Sequence, residues 1–183
     1  ELVHMTTTLA AYDGGPSAVR YPRGSGTGVD LPSEGDILTL GKGRILSHGQ
    51  DIALLSLGTM LSVAEEVADR LADDGISVTL ADARFAKPFD TEMLRSLDST
   101  HQAMLIIEEG SSGGFSALVM QFLANEGLLD KGLRVRVATL PDSFIDHAER
   151  GRQLCLCGLD AKTLYERATA LCATAANSAA KRR

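Results

Sequence analysis

The segment IALLSLGTMLSVAEEVADRLADDGISVTLADA, residues 52–83, decides the fold of this 183-residue chain. It opens with an uninterrupted apolar run over 52–58, which is typical of a strand buried on both faces. Apolar side chains then recur at helical spacing and are closed by Gly75; they are Met60, Val63, Ala64, Val67, Ala68 and Leu71. A second buried run covers 76–83. This order predicts two parallel strands joined by a crossover helix.

The same alternation of strand and helix continues along the rest of the chain. Further strands are predicted at 43–47, 103–110 and 133–141. Further helices are predicted at about 91–98, from 115 to a stop by 127, at 147–156 and at 160–174. We therefore expect an α/β fold with a mostly parallel sheet and helices on both faces. Such sheets bind their ligands beyond the carboxyl ends of the strands.

The N-terminal residues have a different character. Residues 1–13 resemble the tail of a helix, 15–24 predict a short strand that ends at Pro22 and Gly24, and 24–41 are a glycine-rich linker. Because the chain starts with Glu1 and its first helix looks already under way, we expect it to be cut from a longer protein.

Composition excludes several classes of function. A net charge of −6 argues against sequence-independent binding to nucleic acid. No apolar stretch reaches the roughly 18–20 residues that span a bilayer, so no membrane association is expected. The three cysteines match neither a disulfide framework nor a zinc pattern, which favours a cytoplasmic location.

Two arginines are candidates for binding an anion. Arg84 follows an apolar strand in DARFAKPFD, and Arg23 follows a shorter run in VRYPRG. A guanidinium presents a planar fork of donors that suits phosphate or carboxylate. A convergent Arg23–Arg84 pair would clamp one phosphate. The alternative is that Arg84 is a surface residue paired with Asp82 or Asp90.

The other candidate motifs favour structural roles. EEGSSGGF, residues 108–115, joins a strand to a helix and could cradle an anion, but it lacks the glycine order of nucleotide-binding loops and carries two glutamates. We interpret it as a turn whose helix packs closely through Gly113 and Gly114. The histidines are scattered, with no partner at catalytic or metal-binding spacing; they are His4, His48, His101 and His147. We assign no catalytic residue and no metal ligand.

Seven segments, in order between about residues 10 and 172, resemble the 1-deoxy-D-xylulose-5-phosphate synthases, a thiamine-diphosphate family related to transketolase. They are GPSAVRYPRG, LGKGRIL, DIALLSLGTM, ADARFAKPFD, EEGSSGGF, LPDSFIDH and GLDAKTLYERA. The resemblance implies a three-layer C-terminal domain with a five-stranded mixed sheet, in which GRILS is the antiparallel edge strand. One departure is Ala148, where the family commonly has Gly after the histidine, so we give His147 no role.

The resemblance also implies a division of the chain and a role in catalysis. Residues 1–24 would end a pyrimidine-binding domain, 25–41 would be the linker, 42–176 the transketolase C-terminal domain, and 177–183 a frayed tail. Arg23 and Arg84 would hold the phosphate of glyceraldehyde 3-phosphate, which the homodimeric family condenses with pyruvate. Thiamine diphosphate and Mg²⁺ would bind to parts missing from this chain, which would be inactive alone. Another transketolase-family member or a non-catalytic assembly module of the same fold is the alternative.

Overall fold

The part of the chain that the structure describes contains five strands and six α-helices. The computed structural model describes residues 1–22, 26 and 28–180, with side chains through residue 174. The strands are β1 (Arg44–Ser47), β2 (Ile52–Leu57), β3 (Val78–Asp82), β4 (Ala103–Ser111) and β5 (Arg134–Leu140). The helices are α1 (Leu2–Ala11), α2 (Leu61–Asp73), α3 (Thr91–Thr100), α4 (Phe115–Asn125), α5 (Arg150–Leu156) and α6 (Ala161–Ala180). The strands and helices predicted from residue 43 onward are all present.

The strands form one mixed sheet in the order β1-β3-β2-β4-β5. β2, β3, β4 and β5 run parallel to one another, whereas β1 runs antiparallel to β3 at one edge, as expected. The four parallel strands therefore end along the same side of the sheet, which we call the carboxyl edge. β1 begins at that edge, where Arg44 pairs in register with Asp82.

Helices cover both faces of the sheet. Because side chains alternate along a strand, Leu54 and Leu55 of β2 point to opposite faces, and both are 0% exposed. Leu54 belongs to a core that β2 and its neighbours form with α2 and α6. Leu55 belongs to a second core, formed with α3 and α4. These layers confirm the predicted three-layer α/β/α fold class.

The N-terminal residues differ from the prediction. Residues 15–22 form no strand, because no other strand of the described residues lies alongside to take up their backbone hydrogen bonds. α1 is instead joined to the segment that precedes β1. The N–H of Asp36 donates to His4 Nδ1 at 2.9 Å, and the N–H of Leu38 donates to Thr8 Oγ1 at 2.8 Å.

The C-terminal helices also have different bounds. α5 begins at Arg150 and not at 147. α6 continues to Ala180, although a frayed tail was expected from 177; its sequence contains no Gly or Pro and several alanines, which favours an uninterrupted helix. Residues 181–183 lie outside the described residues, so that part of the prediction is not addressed. Each helix in the described part of the chain is too short or too polar to cross a bilayer.

Candidate functional site

Arg84 lies two residues beyond β3, at the carboxyl edge. Its φ of 56° is in the left-handed region, which residues with a side chain rarely adopt. The backbone N–H of Arg84 donates to Asp82 Oδ1 at 3.0 Å, which holds this conformation. Such strain costs about 1–3 kcal/mol and is concentrated at functional sites. The bond to Asp82 thus fixes the point at which the Arg84 side chain leaves the sheet.

The guanidinium of Arg84 lies against a carboxylate. Arg84 Nε is 2.8 Å from Glu1 Oε1, and Nη2 donates to Glu1 Oε2 at 3.5 Å. Nε is buried, yet among the described residues it has no acceptor along its N–H direction, so its pairing with Glu1 is ionic and poorly aligned. None of the hydrogen bonds or ion pairs among the described residues involves Nη1 of Arg84. The guanidinium therefore keeps donor capacity for an oxyanion.

A second arginine, Arg44 of β1, holds the same carboxylate. Arg44 Nη2 is 3.1 Å from Glu1 Oε2, and Arg44 Nε donates to Asp82 Oδ2 at 3.0 Å. Two guanidinium groups, one from β1 and one from the loop after β3, thus meet at the carboxylate of Glu1, which immediately precedes α1. Sequence reasoning missed Arg44 because its position depends on the antiparallel register with β3, which short-range spacing does not reveal.

Asp82 connects the two arginines, and it is only 3% exposed. Burial raises the pKa of its carboxyl above the ordinary 3.8, and the charge of Glu1 acts in the same direction. The N–H of Arg84 and the charge of Arg44 lower the pKa, but they do not outweigh burial. The ionised form of Asp82 is therefore less favourable in the folded chain than in water. The contribution of Asp82 to the site is that its carboxyl group positions Arg44 and Arg84.

A second charged cluster lies at the end of β4 around Glu109. Its carboxylate accepts hydrogen bonds from Thr59 Oγ1 at 2.7 Å and from Arg150 Nε at 3.1 Å. Its backbone carbonyl accepts a bond from Arg20 Nη2 at 3.0 Å, which ties the VRYPRG segment to the carboxyl edge. Burial raises the pKa of Glu109, but the bonds from Arg150 and Thr59 and the charges of Arg150 and Arg20 outweigh it, so the pKa lies below 4.5.

The Arg150–Glu109 pair gives a pH-dependent prediction. A carboxyl whose pKa is lowered on folding stabilises the fold above its unfolded pKa, and this contribution is lost as the pH falls through the folded pKa. Because Arg150 is well exposed, we expect Arg150→Ala to cost only about 0.5–1 kcal/mol at pH 7, and less at pH 4. Urea unfolding at both pH values measures this, with the exposed Arg152→Ala on the same helix as control. An equal cost at both pH values would contradict it.

The EEGSSGGF loop is a helix cap. Both oxygens of the buried Glu108 accept backbone N–H bonds from the first turn of α4: Oε2 from Phe115 at 3.1 Å and Oε1 from Ser116 at 2.7 Å. A Cβ at Gly110 would lie 2.4 Å from Glu108 Oε2, and one at Gly114 would lie 2.8 Å from it. The absence of a side chain at these glycines thus leaves space for the Glu108 carboxylate. This carboxylate occupies the helix N-terminus that could otherwise have attracted a phosphate.

The remaining candidates stand as follows. Arg23 lies outside the described residues, so its convergence with Arg84 stays a prediction. His147 is exposed, whereas His101 is buried and its Nε2 lies 2.9 Å from Thr79 Oγ1, in a structural role. The three cysteines are free thiols.

A family model described as "Transketolase, C-terminal domain" matches residues 41–164, which is more than half of the chain. The chain belongs to the transketolase C-terminal domain family. The match begins three residues before β1 and ends within α6, so it contains Arg44, Asp82 and Arg84. It includes neither α1 nor Glu1, which immediately precedes α1.

A solved structure described as "Split gene transketolase, inactive beta4 tetramer" is similar to this transketolase C-terminal domain chain. The identity is 28% and the TM-score is 0.65, over 73% of this chain. The alignment covers only 44% of that structure's chain, so this chain spans less than half of its length.

Transketolase-family enzymes generally use thiamine diphosphate and a divalent metal. Among the described residues, no three His, Cys, Asp or Glu side chains are grouped so that they could hold a metal ion. At the carboxyl edge, Asp82 and Glu109 are instead paired with arginines, and Glu108 caps α4. The donor set of the described residues does not fit a diphosphate-bound metal.

Proposed function

We propose that this chain is the C-terminal part of a 1-deoxy-D-xylulose-5-phosphate synthase. The complete enzyme condenses pyruvate with glyceraldehyde 3-phosphate, releases CO₂, and supplies isoprenoid, thiamine and pyridoxal biosynthesis. This chain provides the phosphate clamp for the aldehyde and supports the domain and homodimer contacts. Its thiamine diphosphate and Mg²⁺ are held elsewhere, and the enzyme is cytoplasmic. Residues 1–24 end the pyrimidine-binding domain, and 25–41 link it to the third domain.

The observation that carries the proposal is the arrangement of Arg84. Its backbone is held in a strained conformation, and its guanidinium already faces an anion, the Glu1 carboxylate, with Nη1 available. Such a fork suits the phosphate of the aldehyde, which we propose it shares with Arg23. Because Glu1 engages the Nε side of Arg84, it orients the guanidinium while the far end binds substrate.

The chemical contribution of the clamp is positional. A phosphate held away from the reacting carbon fixes the orientation of the aldehyde, so binding energy from a remote group reduces the entropy lost in reaching the transition state. In this proposal, proton transfer and carbanion chemistry belong to other parts of the complete enzyme.

Arg84→Ala in the complete enzyme tests this role. We expect kcat/KM for glyceraldehyde 3-phosphate to fall about 10- to 100-fold, because one charge-assisted contact to the phosphate is lost. The same ratio for unphosphorylated glyceraldehyde should hardly change. Arg70→Ala is the matched control, because Arg70 is exposed on α2 and its ion pair among the described residues is with Glu66 of the same helix. Equal losses for both aldehydes would make Arg84 structural.

The similarity to a split transketolase favours one alternative, that the complete enzyme is another member of the transketolase family. A substrate screen separates the two. Consumption of pyruvate together with a phosphorylated aldehyde supports the synthase, whereas transfer of a two-carbon unit between sugar phosphates without pyruvate supports a transketolase.

A further inference from the structure

A groove at the outer edge of the sheet brings two arginines together. It lies between β5 and α6, has a volume of about 210 Å³, and is lined by Arg136, Arg167, Ala170, Leu171 and Thr174. Arg136 is on the same face of β5 as Ala138, which packs in the core with α6. Arg136 is therefore directed to the side of the strand that α6 covers.

Neither arginine has a carboxylate partner among the described residues. Arg167 Nη2 donates to the carbonyl of Val137 at 2.5 Å, and Arg136 Nη1 donates to the carbonyl of Val135 at 2.9 Å. Other arginines of the described chain pair with carboxylates; these are Arg44, Arg70, Arg84, Arg95 and Arg150. Residues 23–25, 27 and 175–183 contain no Asp or Glu.

The two positive charges affect each other. Burial lowers the pKa of Arg167, and the charge of Arg136 lowers it further, so the fold holds like charges close together. Such a pair is unexpected in a chain with a net charge of −6, in which acidic side chains outnumber basic ones. A bound anion would relieve the repulsion and use the remaining N–H donors of both groups.

We propose that this groove is a second anion-binding site, in which the guanidinium groups of Arg136 and Arg167 hold the phosphate of a small phosphorylated molecule. Guanidinium forks match phosphate oxygens, and the apolar side chains of Ala170 and Leu171 can contact the rest of the molecule. β5 lies three strand spacings from β3, the strand that leads to Arg84, which is about 14 Å at the usual strand spacing. The groove is thus separate from the site at Arg84 and does not depend on the proposed function.

Calorimetric titration with pyrophosphate at constant ionic strength tests the site. The measurement uses the chain carrying Arg84→Ala, so that binding at the carboxyl edge does not contribute. We expect saturable binding at a one-to-one ratio. Adding both Arg136→Ala and Arg167→Ala should weaken it at least about tenfold, since charge-assisted contacts are lost. Adding Arg70→Ala, the matched control, should leave it unchanged.

Two results would overturn the proposal. One is that the heat released on titration with pyrophosphate does not exceed the heat released on titration with chloride at the same ionic strength. The other is that binding persists in the chain that lacks both arginines. In either case the charges of Arg136 and Arg167 serve to prevent the edge strand β5 from pairing with other chains. Replacing both arginines would then promote aggregation and leave the affinity for anions unchanged.

Discussion

Replacing Glu108 with alanine is expected to lower the free energy of unfolding by about 3 kcal/mol. Two N–H groups at the start of α4, those of Phe115 and Ser116, would lose their acceptor in a buried position. The substitution also removes a negative charge from the positive end of the helix dipole and leaves a space beside Gly110 and Gly114. All three effects act in the same direction.

Urea unfolding at pH 7 measures the effect of Glu108→Ala. Glu108→Gln is the informative companion, because it keeps one acceptor oxygen and should lose about half as much. Glu65→Ala, an exposed position on α2, is the control and should change the stability little. If Glu108→Ala unfolds at the same urea concentration as the parent chain, water replaces the carboxylate and the cap contributes nothing.

Asp82→Ala is expected to cost about 2 kcal/mol, and to cost more at pH 4 than at pH 7. Because burial raises the pKa of Asp82, the folded chain keeps a proton that the unfolded chain releases. The stability that Asp82 provides is therefore complete below its unfolded pKa of 3.8 and decreases as the pH rises through the folded pKa. A simple salt bridge with Arg44 predicts the opposite order.

Urea unfolding curves of Asp82→Ala and of the parent chain, recorded from pH 4 to pH 7, measure this pH dependence. Other carboxyl groups titrate in both proteins, so their effects cancel in the difference. Asp82→Asn keeps an acceptor for the N–H of Arg84 and should lie closer to the parent chain. A cost for Asp82→Ala that grows from pH 4 to pH 7 would show that attraction to Arg44 exceeds the effect of burial.

Local patterns were sufficient to predict most of the fold. The strand–helix–strand unit of 52–83 could be read from its apolar periodicity because each element buries side chains at its own regular spacing. The strand expected at 15–24 was wrong over its described residues, because a strand also needs a neighbour, and the sequence pattern does not reveal whether one is present.

The candidate site was less predictable, because its contacts join distant parts of the sequence. Arg84 was identified from its place after a strand, but Arg44 depends on the register between β1 and β3. Arg20 meets the backbone of Glu109 across 89 residues, a contact that no spacing rule contains. Glu108 was recognised only as unfavourable to a phosphate, whereas its carboxylate occupies the position that an anion would take.

The direction of β1 determines how the segment between α1 and β1 acts on the carboxyl edge. Since β1 starts at that edge, the segment joins α1 to β1, and these two elements already meet at the edge through the ion pair between Glu1 and Arg44. It therefore acts as a tether that raises the effective concentration of one part near the other. Doubling its length would cost only about 0.6 kcal/mol in closure entropy. A protease cut within it would remove this covalent link, so the ion pairs of Glu1 would weaken by dilution.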